Sequence, residues 1–148
     1  MTATYDKSGF RFLYPQNWKV ADEQFDQPPR SVTLESPSGA IWSVDVHPFS
    51  VDPLDLTQQV VQAMQQEYSD LEFEEASETI HGQPAVGFNM NFWCLDFVIT
   101  ARTRAFRQGH ATYLLLYQAE DRDYDQLEAV FRAITESMLR SVDALGDE

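Results

Sequence analysis

Cysteine is almost absent: Cys94 is the only one, so no internal disulfide is available to this chain. It stands in the apolar run Phe92-Trp93-Cys94-Leu95 and reads as a buried, unreactive thiol. Positive charge is scarce as well, with 10 Lys and Arg against 24 Asp and Glu and a net charge of −14. A surface of that sign repels phosphate backbones and anionic headgroups, which argues against nucleic acid and against a membrane surface as partners. Glycine is limited to six residues scattered among turns, and none of them makes a phosphate-cradling loop. No apolar run approaches the roughly 20 residues a membrane span requires. Met1 to Lys7 lacks a basic start followed by an apolar stretch, so no signal peptide is expected and a cytoplasmic location is.

What is present is enough for a core. The 148 residues are 43% hydrophobic and 13% aromatic, too apolar for disorder and of ordinary length for one domain. No repeat, linker or low-complexity segment divides them, so residues 1–148 are expected to form a single domain, with 141–148 an acidic tail that frays.

Alternation marks the strands. Phe10, Phe12 and Tyr14 share one side of a strand ended by Pro15; further strands are expected over 31–36 and 40–47, with Trp42, Val44 and Val46 on one face. Asp52-Pro53, with Asp55 in the first turn, starts a helix over 53–68, where Val60, Val61, Met64 and Tyr68 make a buried stripe. Strands follow over 71–80, 85–92, 97–106 and 111–118, with turns at His81-Gly82 and Gln108-Gly109. The stripe Tyr124, Leu127, Val130, Phe131, Ile134 and Met138 predicts a last helix over 122–140. Successive strands joined by short turns imply an antiparallel arrangement. The expected class is α+β: a single antiparallel sheet of six or seven strands packed between helices.

Certain residues in this order resemble a known group. Gly9-Phe10-Arg11-Phe12 runs into Tyr14-Pro15-Gln16-Asn17-Trp18, Gly82 makes a turn before a strand, and Phe131, Ile134 and Ser137 close the last helix. The chain is in this respect similar to the PsbP-like superfamily, which takes in PsbP, a Ran-binding import factor and DcrB-like domains. The resemblance implies an antiparallel sheet between helices and no shared catalytic set.

Sites of chemistry are sparse. His47, His81 and His110 lie far apart without metal-ligand spacing, and no serine sits in a nucleophile elbow. No cofactor is expected. Asp45 and His47 share a strand face and could interact, although an exposed pair of no consequence is the simpler reading. Between Arg30 and Arg102 there is no Lys or Arg and there are eleven acids. Arg102 and Arg104 then share one strand face, with Asn89 and Asn91 on the polar side of the preceding strand. Such arginines can hold a carboxylate or phosphate, or can neutralise acids across the sheet. The sequence therefore predicts a non-enzymatic binding or adaptor domain, monomer or homodimer, whose partner is a protein or peptide. The alternatives are a cytoplasmic chaperone for apolar segments of secreted effectors, and an enzyme whose site assembles only in three dimensions.

Overall fold

A computed structural model describes residues 1–146. It contains nine strands and two helices among them. β1 (Thr2–Lys7) and β2 (Phe10–Pro15) pair as a separate hairpin. Their turn, Ser8-Gly9, has positive φ at both positions (50° and 88°), the pattern of a tight hairpin turn. β3 (Lys19–Gln24), β4 (Arg30–Glu35) and β5 (Ile41–Pro48) then form half of the main sheet. α1 (Pro53–Glu67) crosses to the far edge. From there β6 (Glu72–Ile80), β7 (Gln83–Cys94), β8 (Phe97–Gln108) and β9 (Ala111–Glu120) return by hairpins to pair with β5. The order is β3-β4-β5-β9-β8-β7-β6, antiparallel throughout. α2 (Asp121–Gly146) follows β9 directly.

The seven-stranded antiparallel sheet with helices is the expected class, but its membership differs in two respects. The Phe10 strand does not join it; it pairs with β1, which reads as featureless because only Tyr5 of Thr2–Lys7 is buried. β3 takes its place as an edge strand, and Lys-Val-Ala-Asp-Glu-Gln carries no apolar alternation to announce it. An edge strand with charges along it is one way a sheet avoids pairing with another chain.

Alternation along β9 divides the core. Tyr113, Leu115 and Tyr117 pack with Trp42, Phe131, Ile134 and Met138 beneath α2, where Phe10 and Phe12 of the hairpin complete the layer. Leu114 and Leu116 point to the other side, where α1 packs on β7, β8 and β9. Trp42 Nε1 donates to Thr135 Oγ1 at 3.0 Å, which ties the centre of the sheet to α2 in the buried layer. Trp18 is buried edge-on to Phe131 at 6.0 Å. α2 is longer than its apolar stripe suggests: residues 141–146, expected to fray, are helical, and residues 147 and 148 lie outside the described residues.

Candidate functional site

The β7–β8 register places Asn89 opposite Arg102, Asn91 opposite Thr100 and Gly87 opposite Arg104. All of these lie on the α2 side of the sheet. Arg104 is only 3% exposed. Its Nε donates to Glu78 Oε2 at 2.6 Å and its Nη2 to Asn89 Oδ1 at 2.6 Å. Its Nη1 donates to the Phe88 and Thr103 carbonyls at 3.1 and 3.0 Å. The strands meet so closely here that a Cβ on Gly87 would stand 1.9 Å from the Thr103 carbonyl oxygen. The guanidinium's donors are thus used inside the protein.

Glu78 extends this network. Burial pushes its carboxyl up, but the guanidiniums of Arg104 and Arg132 outweigh that and hold it below the usual carboxylate range. Arg132 of α2 donates to Glu78 at 3.1 Å and to Glu128 at 3.2 Å. Arg102 reaches Glu128 at 3.2 Å and lies over the Tyr124 ring, 4.9 Å from its centroid. Asn91 donates to Thr100 Oγ1, which donates to Asp121 at the start of α2. Arg104, Asn89 and Arg102 therefore belong to one network, joined through Glu78, Arg132 and Glu128, while Asn91 belongs to a separate one through Thr100 to Asp121; both bind sheet to helix. Buried charges of this kind must be matched to be tolerated.

Asp45 and His47 stand apart from both networks. Val44 pairs with Leu115, and Leu115 with Arg104, so those three share a face and Asp45 and His47 occupy the opposite one. Burial pushes the Asp45 carboxyl up and the His47 imidazole down. His47 Nε2 is buried without a hydrogen-bond partner among the described residues, and no bond joins it to Asp45. The six candidate residues thus fall into two places on opposite sides of one sheet.

Three features escape a reading of the sequence. First, His81 does more than make a turn. Its φ is +51°, as a tight hairpin requires, and its Nδ1 lies 2.8 Å from Glu136 while Nε2 contacts Asp143. Bonding to Asp143 and then to Glu136 raises its pKa above the ordinary histidine value. Second, Trp93, Leu95 and Phe97 are each exposed at the β7–β8 tip, Trp93 on the α2 face of the hairpin, Phe97 on the α1 face and Leu95 in the turn. Third, an open groove of about 760 Å³ runs between β2 and α2, floored by Leu13, Tyr14, Pro15, Ala129, Val130 and Ala133. Leu13, half exposed on the outward side of β2, is the one sequence cue to it. The cleft between β6, β9 and α2 measures only about 130 Å³. Small-molecule sites occupy about 300–1,000 Å³, so the groove is of binding size and the cleft is not.

Among the described residues no group of three His, Cys, Asp or Glu is placed to hold a metal, and no helix is long and apolar enough to cross a membrane.

No family model and no curated protein matches the sequence. Solved structures do match its shape. The solution structure of cyanobacterial PsbP (CyanoP) from Synechocystis sp. PCC 6803 superposes with a TM-score of 0.63, covering 92% of this chain and 90% of that one at 14% identity. The Ran-binding protein Mog1p of Saccharomyces cerevisiae matches with a TM-score of 0.55, covering 95% and 94% at 9% identity. At such identities the likeness concerns the backbone alone. This chain shares its fold with cyanobacterial PsbP and with Mog1p.

Proposed function

We propose that this chain, residues 1–148, is a single non-enzymatic binding or adaptor domain that takes a peptide segment of another protein. The observation that carries this reading is the groove between β2 and α2. It is floored mainly by apolar side chains, with Arg132, Glu136 and Arg140 along it, and its helix wall offers the small residues Ala129 and Ala133. A strand and a helix held a fixed distance apart can receive an extended or helical peptide between them. Leu13 N donates to Ser137 Oγ at 2.9 Å, which fixes β2 against the helix and so sets the groove's width. Mog1p, which shares the fold, is named as a Ran-binding protein, and a protein partner is in keeping with that.

The chaperone reading draws on the same groove, since a site for apolar segments needs an apolar floor. It differs in requiring tolerance of many sequences. A random peptide library displayed on phage tests both. Selected peptides should bind the protein and lose at least about tenfold in affinity, 1.4 kcal/mol, on Ala133→Trp, which fills the groove from an exposed helix position. One shared motif among them supports an adaptor, and many unrelated apolar sequences support a chaperone. Failure to select any peptide, or equal binding to Ala133→Trp at unchanged stability, overturns the groove as the site.

A further inference from the structure

The β7–β8 hairpin overhangs its neighbours. Pairing with β6 ends at Asn91–Glu72, and pairing with β9 ends at Ile99–Glu120, while the hairpin itself continues to the closing pair Cys94–Phe97. This free tip carries Trp93, Leu95 and Phe97, which are 57%, 90% and 47% exposed. Large apolar side chains on both faces and at the turn of a water-facing tip cost free energy unless something covers them.

The turn deepens the point. Leu95 and Asp96 are its two central residues, and only the first, Leu95, has positive φ, +56°. Hairpin turns with that pattern call for glycine at the first position. The chain's own β8–β9 hairpin obeys the rule: Gly109 occupies the corresponding place with φ +60°. At the β7–β8 tip a leucine is held in a conformation that side chains with a Cβ rarely adopt, and it is almost wholly in water. Neither local geometry nor burial accounts for leucine there. Strain retained at a site of high exposure is a mark of function.

Carboxylates surround the tip. Asp96 lies in the turn, Asp70 accepts from Trp93 N at 3.2 Å, Glu72 faces Asn91, and Asp121 accepts from Thr100. Two cations lie near the start of α2 and both are paired, Arg122 with Glu120 at 2.9 Å and Arg102 with Glu128 at 3.2 Å. We propose that the tip is a docking element that enters an apolar cleft of a partner protein whose rim carries Lys and Arg, with Leu95 leading and with Trp93 and Phe97, on opposite faces of the hairpin, against the two walls. Aromatic anchors in apolar pockets dominate interface energetics, and complementary charge steers their approach. A second copy of this chain fits poorly, because its net charge is −14. Anionic bilayers are repelled by the same carboxylates. The tip is remote from the groove in sequence and uses none of its residues, so either can fail alone.

The test places the photo-crosslinker p-benzoylphenylalanine at Phe97 in the native cell, with the same group at exposed Glu75 as control. The captured protein is mapped at the adduct and then produced on its own. The expected adduct is specific to position 97 and lies beside Lys or Arg on the partner. Affinity of the purified pair should fall at least tenfold on Leu95→Gly and weaken with salt, while the melting temperature of Leu95→Gly holds or rises because the turn is relieved. Ala133→Trp should leave the adduct intact. An adduct no stronger than the control, an adduct to a second copy or to lipid, a mapped site without basic residues, or unchanged affinity of Leu95→Gly would each overturn the proposal.

Discussion

Arg104 and Arg102 stand two residues apart on one strand face and have opposite surroundings. Arg104 is enclosed by acceptors from β6, β7 and β8, whereas Arg102 keeps about a quarter of its side chain in water beside Glu128. Removing a partner from a buried pair leaves a charge without compensation. Arg104→Gln should therefore cost about 3 kcal/mol, the lower end for breaking a buried pair because Arg132 still faces Glu78. Arg102→Gln should cost only about 0.2–1 kcal/mol. Chemical denaturation of the two variants decides it: equal losses would contradict this assignment. Alternation put both arginines on one face, and so the cluster was legible. Depth was not, because β6 supplies Glu78 and α2 supplies Arg132 and Glu128 from far along the chain.

At the scale of elements, the turn of the β6–β7 hairpin is fastened to α2 by a histidine, beside the Glu78–Arg132 pair further along β6. His81 contacts Glu136 and Asp143, and Gln108 Nε2 from the end of β8 donates to the same Asp143 at 2.6 Å. The histidine's folded pKa is raised from 6.5, so its contribution to stability is full below that value and is lost as pH rises through the folded value. Asp143 is shifted the other way, down from 3.8, so its contribution is present above 3.8 and lost as pH falls through the folded value. The fastening is thus strongest between those two ordinary values. The stability difference between the protein and His81→Gln should be larger at about pH 5.5 than at about pH 8.5. A difference that is flat across that range would show that the contact carries no charge. Strand β3 and strand β1 show where element reading stops. Each has a single apolar residue turned inward, Val20 or Tyr5, and pairing to a neighbour rather than a pattern of its own makes it a strand. α1 and α2, by contrast, carry full apolar stripes and start where the sequence says they should.

Across the whole molecule, the two faces of the sheet have unlike covers. α1 alone packs on β7, β8 and β9 from one side, and α2 together with the β1–β2 hairpin covers the other. In the second arrangement the groove lies where β2 meets α2, beside the Leu13–Ser137 hydrogen bond. That position was out of reach of the sequence: it depends on the Phe10 strand leaving the main sheet, and strand membership is decided by long-range pairing. Other surface hollows of about 440–620 Å³ lie by Lys7 and Glu23, by Arg11 and Arg140, and by Leu54 and Gly87, and the groove is distinguished from them by its floor of Leu13, Tyr14, Val130 and Ala133. Its occupancy is measured most directly by titrating a selected peptide into the isotope-labelled protein and following backbone amide shifts by NMR. The account predicts that the largest shifts fall on Leu13, Val130, Ala133 and Ser137, the walls of the groove. Shifts confined to the Arg102–Arg104 strand or to Asp45 and His47, with the groove residues unmoved, would contradict it.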